Sequence, residues 1–184
     1  MNSNRSVALY YASHDGHSRR IAEYVSRRLA ESQIIAPPQD LAVVTPRAAD
    51  LAAVSLIVLV AAVRYGRHLP PADRLLSIYR ALNSAPPLAF ASVNLTARKP
   101  GKTSATGNPY LRKLVARSGL MPAVAVAFAG KLDYRRYSFL DRQIIRFIML
   151  LTGGPTDPDT CIEYTSWSAV DEFAARIVEL RRGG

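Results

Sequence analysis

The chain has 184 residues, of which 49% are hydrophobic and 21% charged, a composition typical of a globular protein rather than a disordered or fibrous one. No run approaches the ~18 uninterrupted apolar residues that a membrane-spanning helix needs, which argues against an integral membrane protein. The length predicts one domain, residues 1–184. The single cysteine, Cys161, and the lack of a secretory-type apolar segment near the start predict the reducing cytoplasm.

The formal net charge of +10 is concentrated in one region of the sequence. Residues 98–146 contain 11 basic and 2 acidic side chains, a net charge of +9. Such a region is typical of a surface that meets nucleic acid, anionic lipid or an acidic small molecule, and also of a face that is merely solvated. Composition alone does not choose among them.

Four continuous apolar runs predict buried parallel strands, at residues 6–11, 56–63, 88–95 and 123–129. Apolar residues at helical spacing predict helices between and after these strands, at 18–32, 72–82, 109–118 and from Trp167 through Ile177. This alternation predicts an α/β fold with a doubly wound, five-stranded parallel sheet. The second strand must lie near residues 33–44, where prolines place it at an edge, and this favours the strand order 2-1-3-4-5.

Nearly forty residues separate the last of these strands from the final helix, which is long for a simple connection. Within them, residues 138–151 predict a helix with one apolar side, formed by Phe139, Leu140, Ile144, Phe147, Ile148 and Leu151. Such a stripe either packs on the sheet or lies at a membrane interface. A short strand-like run, CIEYT, follows at residues 161–165.

Ligands of doubly wound sheets bind beyond the carboxyl ends of the strands, where the strand order reverses. Three loops leave those ends here, at residues 13–18, 64–71 and 94–102. The first loop opens a helix, so its backbone N–H groups form an anion site, or else only an ordinary turn. Ser13 and Ser18 add hydroxyl donors to it. Because a carboxylate would repel a phosphate, Asp15 is expected to turn away and cap the helix.

The other two loops add groups that suit a flat, anionic ligand. Tyr65 and Gly66 can cover a planar ring, unless this segment is only a lead into the next helix, and Asn94 offers an amide. Three cations follow at Arg98, Lys99 and Lys102. The loops together predict a planar cofactor that carries a phosphate. No metal is expected at His14, His17 and His68, since no carboxylate or cysteine completes the spacing.

Five blocks of the sequence carry a more specific signal: YYASHDGHSRRIAEYV, AAVRYGRH, SVNLTARKPGK, AGKLDYRRYSFLDRQIIRFIM and TGGPTDPDTCIEYTSW. They resemble the corresponding blocks of the flavodoxin-like protoporphyrinogen IX dehydrogenases, which deliver electrons to quinone in bacterial haem synthesis. The resemblance runs from about residue 6 to residue 182, and the ARKP and GG.TD blocks are its most specific parts. One departure is the usual threonine of the phosphate loop, where this chain has Ala12 or Ser18.

The resemblance implies a flavodoxin fold that binds FMN noncovalently. It assigns the phosphate loop to Ser13, Asp15, Gly16, His17 and Ser18. It assigns the two loops beside the flavin ring to Val63, Arg64, Tyr65 and Gly66, and to Ser92, Val93, Asn94, Leu95, Thr96, Ala97 and Arg98. Residues 130–160 would be an insertion that splits the fifth strand, with CIEYT resuming it. No catalytic residue is assigned.

By the same resemblance, the expected reaction is oxidation of protoporphyrinogen IX to protoporphyrin IX, with electrons passed through FMN to menaquinone or ubiquinone. The two propionates of the substrate would pair with cations at Arg98, Lys99, Lys102, Arg135 and Arg136. Substrate and quinone are both lipophilic. We therefore expect a peripheral protein on the inner face of the cell membrane, with the 138–151 helix against anionic lipid.

Two alternatives keep the flavin. A flavodoxin-type electron carrier is disfavoured by the charge of +10, because such carriers are usually acidic. An FMN-dependent quinone reductase would take electrons from a nicotinamide cofactor, and the sequence has no G-x-G-x-x-G fingerprint for one. A nucleic-acid-binding protein is not expected, since neither an RNA-binding aromatic motif nor a zinc finger is present.

Overall fold

The computed structural model describes residues 6–183, in which six helices surround a parallel sheet. In chain order the elements are β1 (Val7–Ala12), α1 (His17–Glu31), β2 (Pro38–Asp40), α2 (Ala48–Ala52), β3 (Leu56–Arg64), β4 (Arg67–His68), α3 (Pro70–Arg80), β5 (Leu88–Val93), α4 (Pro109–Ser118), β6 (Val124–Phe128), β7 (Lys131–Asp133), α5 (Phe139–Leu151), β8 (Cys161–Glu163) and α6 (Trp167–Gly183). Two 3-10 helices, Leu95–Arg98 and Tyr134–Arg136, lie after β5 and β7.

The main sheet contains five parallel strands in the order β2-β1-β3-β5-β6. Counted as parallel strands alone, this is the predicted order 2-1-3-4-5, and the flavodoxin-like doubly wound fold is confirmed. Pro38 begins the short edge strand β2, as the prolines predicted. The sixth member, β4, is a two-residue antiparallel addition to β3.

Side chains alternate across the sheet and bury two separate apolar layers. In β1, Leu9 and Tyr11 face the layer that packs on α1 and α6, with Phe173 among its members. Their neighbours Ala8 and Tyr10 face the opposite layer, under α3 and α4. Strands β1 and β5 are buried along their whole length, which explains why they read as unbroken apolar runs.

The insertion carries its own small sheet. Strands β7 and β8 pair antiparallel, with Lys131 opposite Glu163. The resemblance implied that CIEYT resumes the fifth strand of the parallel sheet, but its residues Cys161–Glu163 pair with β7 instead, in a separate sheet. Since β7 follows β6 after only two residues, its free edge is the nearest partner for the returning chain.

A third apolar cluster fixes the insertion to the body of the protein. It consists of Leu132, Tyr134, Tyr137 and Met149, packed against partly buried residues that include Leu95. Within residues 6–183, no helix has the length and apolarity to cross a membrane.

Candidate functional site

A cavity of about 500 Å³ lies beyond the carboxyl ends of the parallel strands, where the strand order reverses. Most of the residues predicted to hold a cofactor line it: Ser13, Asp15, His17, Ser18, Val63, Arg64, Tyr65, Gly66, Val93, Asn94, Leu95, Thr96 and Arg98. Three others do not line it. Ser92 and Ala97 are buried, and Gly16 is the exposed cap residue of α1, with a φ of 82°.

The polar end of the cavity is the loop before α1. The hydroxyl oxygens of Ser13 and Ser18 are buried there, and neither has a hydrogen-bond partner among residues 6–183. Ser18 is only 1% exposed, at the N-terminal end of a 15-residue helix. Two unpartnered hydroxyls beside free helix N–H groups suit a bound phosphate, so the loop fits the cofactor that the sequence predicted.

Asp15 does not cap α1, and that prediction is wrong. The helix begins after Gly16, whose left-handed conformation makes it the cap residue, and no side chain caps the end. Asp15 therefore stands one residue too early for its carboxylate to reach the amides of the first turn. Its carboxylate lies 3.8 Å from the Arg64 guanidinium and forms part of the cavity wall. Burial raises the pKa of Asp15, and the charge of Arg136 opposes that rise.

His17 ties the same loop to the end of the insertion. Its Nε2 lies 2.6 Å from the Thr165 hydroxyl, which itself donates to the Ala129 carbonyl at 2.7 Å. The threonine oxygen must then accept from His17, which fixes the proton on Nε2. Burial lowers the pKa of His17, favouring this neutral form. In the described residues no cluster of three or more metal-ligating side chains occurs.

The loop after β3 presents Arg64 and Tyr65 to the cavity. Tyr65 has a φ of 49° and Gly66 a φ of 77°, so two consecutive residues are left-handed. The Arg64 guanidinium lies 5.2 Å from the centre of the Tyr65 ring. Both side chains donate hydrogen bonds to Asp141 of α5, a residue that the sequence did not single out.

The loop after β5 is held by a buried hydrogen-bond network. The Asn94 amide oxygen accepts from the Ala97 N–H and from the Asn108 side chain, each at 3.1 Å. The Asn94 amide nitrogen donates to the Ser92 hydroxyl, which also lies 2.9 Å from His68. Both ends of the Asn94 amide are thus engaged within the protein. Asn94 therefore orients its own loop. Burial lowers the pKa of the neighbouring His68 to about 4.

The predicted substrate cations divide into two groups. Lys99 and Arg136 line the cavity, and within residues 6–183 neither forms a salt bridge. Lys102 and Arg135 do not line it, and Arg135 lies 3.4 Å from Asp159 instead. Arg98 lines the cavity, but its guanidinium donates to the Leu95 carbonyl and the Thr152 hydroxyl, both at 2.9 Å.

The wall opposite the polar loop comes from the insertion, and the sequence did not predict its members. Helix α5 contributes Ile144, Ile145, Ile148 and Met149, and the segment before it adds Lys131, Asp133 and Tyr137. Burial raises the pKa of Tyr137 to about 12, so its hydroxyl stays neutral. The apolar stripe of α5 predicted an apolar surface that includes Ile144 and Ile148, but not that this surface lines the cavity. The local sequence does not determine which way the insertion folds.

The outer side of α5 is apolar and uncovered. Phe139 is 70% exposed and Leu140 is 72% exposed, and Phe147, Leu150 and Leu151 are also exposed. Met149 is the one member of the helix that is fully buried. The stripe therefore does not pack on the sheet, which was one of its two predicted placements.

A doubly wound sheet of this strand order, with a cavity lined by three loops at the switch point, defines a flavodoxin-like protein. Comparison with known proteins agrees, since the family model of the flavodoxin domain matches residues 8–159. The fold resembles flavodoxin 1 from Bacillus cereus, with a TM-score of 0.56 at 12% identity, covering 95% of this chain and 97% of that one.

Two curated relatives narrow the class. The chain is 39% identical to protoporphyrinogen IX dehydrogenase (quinone) of Leishmania major over 173 residues, which are 94% of this chain and 74% of the relative. It is 34% identical to the protein of the same name in Escherichia coli (strain K12), covering 94% of each. The chain belongs to the family of the protoporphyrinogen IX dehydrogenases (quinone), which are oxidoreductases.

Proposed function

We propose that this chain oxidises protoporphyrinogen IX to protoporphyrin IX, holds FMN noncovalently and passes the electrons to a membrane quinone. The observation that carries the proposal is one cavity with two unlike ends. Its polar end has two buried, unpartnered serine hydroxyls, and its other wall is the apolar side of the insertion helix. The relatives named for this reaction, at 34–39% identity, support it.

Ser13 and Ser18 would hold the FMN phosphate, with the first amides of α1 and the turn at Gly16. Residues 63–66 and 92–98 would flank the flavin ring, and the buried bonds of Asn94 keep the second of these loops in place. When bound, FMN supplies the two-electron redox chemistry. The protein's own residues would position it, and α5 adds an apolar wall to the cavity.

The substrate propionates need cations that are free to pair with them. Of the cations suggested by the sequence, Lys99 and Arg136 meet this condition, whereas Arg98 is already bonded to Leu95 and Thr152. Arg135 and Lys102 face elsewhere and contribute general positive charge. Arg136 and Arg135 are therefore a matched pair, adjacent in the chain and equal in charge, of which one lines the cavity.

Changing Arg136 to Gln should raise the KM for protoporphyrinogen IX about tenfold, because a charge-assisted pair contributes roughly 1.5–3 kcal/mol. The matched change Arg135→Gln should leave KM within twofold. Steady-state rates under anaerobic conditions measure both. Equal effects of the two changes would show that only net charge matters at this end of the cavity.

Quinone and porphyrinogen both partition into lipid, so a peripheral position on the inner face of the cell membrane serves the reaction. The exposed apolar side of α5 supports this placement, because the same helix lines the cavity with Ile144 and Ile148. A lipophilic molecule that leaves the bilayer beside α5 would have a short path to the flavin.

The decisive experiment is an anaerobic assay of the FMN-loaded protein with protoporphyrinogen IX and either menaquinone or ubiquinone. We expect protoporphyrin fluorescence to appear, with quinone consumed, and no signal when the quinone is omitted and the flavin is limiting. An electron carrier or a nicotinamide-fed quinone reductase would produce no porphyrin. A flavin-loaded protein that yields none with either quinone refutes the proposal.

A further inference from the structure

The insertion helix places a carboxylate in the cavity. Asp141, in the first turn of α5, accepts hydrogen bonds from the Arg64 guanidinium and from the Tyr65 hydroxyl. The Asp141 side chain is only 14% exposed and that of Arg64 only 20%. A guanidinium and a phenol that converge on one carboxylate are the elements of a carboxylate-binding site. The loop after β3 provides this site, and a residue of the protein fills it.

The backbone of this loop makes a tight hairpin turn between β3 and β4. Tyr65 is a bulky residue with a φ of 49°, in a region that such side chains rarely occupy. The cause is the hairpin between β3 and β4, in which Arg64 pairs with Arg67, because a two-residue hairpin turn of this kind needs a positive φ at both central residues. Here the left-handed turn places the Tyr65 hydroxyl beside the Arg64 guanidinium, so both donors reach one carboxylate.

Helix α5 is anchored near its C-terminal end and by the buried Tyr137 just before its first turn. Near its C-terminal end Met149 is buried, Arg98 donates to the Thr152 hydroxyl, and Arg146 donates to the Thr156 carbonyl at 2.8 Å. Its first turn holds the exposed Phe139 and Leu140 and is joined to the β3 loop through Asp141. Releasing Asp141 would therefore let the first turn pivot between these two anchors.

We propose that Arg64 and Tyr65 bind a carboxylate of the substrate, and that Asp141 occupies their site as an internal latch until the substrate arrives. A propionate of the tetrapyrrole displaces the Asp141 carboxylate, and the first turn of α5 moves away from the β3 loop. Asp15, 3.8 Å from Arg64, limits how tightly the site holds any anion, because a second carboxylate repels it. The inference rests on the proposed function, since the incoming carboxylate is that of the porphyrinogen.

The test is direct binding of porphyrin to the FMN-loaded full chain in dilute detergent, measured by the change in porphyrin fluorescence. Protoporphyrin IX carries the two carboxylates, and its dimethyl ester is a neutral probe of the same shape. Removing an internal competitor raises the apparent affinity for a ligand by the inverse of the fraction of open sites. Asp141→Ala should bind the free acid about five- to tenfold more tightly than the unaltered chain does, with ester binding unchanged.

Two further variants isolate the latch. Asp159→Ala removes an acidic residue of the same insertion that does not line the cavity, and its affinity for both porphyrins should be unchanged. Arg64→Gln should abolish the preference for the free acid over the ester. If Asp141→Ala proves unstable, Asp141→Asn preserves the side-chain volume, and a smaller gain in the same direction is expected.

The outcomes separate this inference from the proposed function. If the unaltered protein binds both porphyrins but Asp141→Ala and Asp141→Asn bind the free acid no more tightly, the latch is wrong and the proposed function stands. Equal gains for the acid and the ester would also overturn it, because they would mean simple unblocking of the cavity. A protein that binds neither porphyrin refutes the proposed function and the latch together.

Discussion

Ser18 is the residue at which a bound phosphate would satisfy a buried, unpartnered hydroxyl. Its hydroxyl is buried and unpartnered among residues 6–183, and such a group costs roughly 1–3 kcal/mol until a partner arrives. Ser18→Ala should therefore weaken FMN binding about tenfold while riboflavin, which lacks the phosphate, binds as before. Quenching of flavin fluorescence measures both affinities. Ser77→Ala, on the exposed side of α3, is the control, and an equal loss for both flavins would contradict the phosphate assignment.

His68 makes the protein sensitive to acid. Burial lowers its pKa from 6.5 to about 4, so the folded state keeps the ring neutral where the unfolded chain takes up a proton. The stability that neutral His68 contributes is therefore fully present above about pH 6.5 and is lost as the pH falls towards 4. Between about pH 7.5 and pH 5 this residue alone should lower the free energy of unfolding by about 2 kcal/mol.

Urea unfolding at the two pH values tests this, with His68→Gln as the comparison. The variant loses the titrating ring, so its free energy of unfolding should fall less between the two values, whatever its absolute stability. His17 and the carboxylates remain in both proteins and cancel in the difference. Identical pH dependence in the two proteins would mean that His68 accepts a proton without cost.

Single side chains are also where sequence-based reasoning fails. The sequence was enough to predict that the three loops meet, because the carboxyl ends of parallel strands lie at one edge of the sheet. The partner of Asp15 could not be predicted, because it depends on Gly16, rather than Asp15, being the cap residue of α1. In the same way, nothing near Arg98 in the sequence indicates a partner for its charge, but its guanidinium donates to Thr152, a residue 54 positions away.

At the scale of the element, α5 is the clearest departure from an ordinary surface helix. Its uncovered apolar side should insert into a lipid interface, where each large apolar side chain contributes up to about 1.5–3 kcal/mol. Replacing Phe139 and Leu140 together with serine should reduce binding to anionic phospholipid vesicles at least tenfold, measured by co-sedimentation. The matched control is Met121→Ser, because Met121 is 91% exposed and lies outside α5.

Charge provides the competing explanation for such binding. A chain with a net charge of +10 will adsorb to anionic vesicles without any apolar contact, but salt screens that attraction. We therefore expect the unaltered protein to keep a substantial part of its binding in 0.5 M salt and the double variant to lose it. If both proteins dissociate equally in salt, α5 does not enter the lipid.

The predictability of an element followed its length. Strands β1, β3, β5 and β6 and the five longer helices were located from apolar runs and helical spacing, α4 and α5 to within a residue. The short elements α2 and β4 have too few residues for a period to register. The pairing of β7 with β8 was not predictable for another reason: it joins segments 30 residues apart, and only the returning path of the insertion decides it.

Across the whole molecule, stability and ligand binding are divided between different parts. Two apolar layers on either side of the sheet hold the fold, while the cavity is completed by loops and by an insertion with a small core of its own. Positive charge gathers in the second third of the chain, which also provides Lys99 and Arg136 to the cavity. A cofactor that joins the α1 loop to the insertion wall should therefore add to the contacts that already connect these parts, such as that of His17 with Thr165.

Binding of FMN should raise the melting temperature of the cofactor-free protein. A ligand that binds only the folded state stabilises it by about 2.7 kcal/mol at 100 times its dissociation constant, and for a chain of this size each kcal/mol shifts the melting temperature by roughly 2–4 °C. We expect a rise of about 5–10 °C with FMN and a much smaller one with riboflavin at the same concentration. Calorimetry with each flavin, and with inorganic phosphate as a control for anion binding alone, measures it. Equal shifts with FMN and riboflavin would place the binding energy on the ring and leave the buried serines without a ligand.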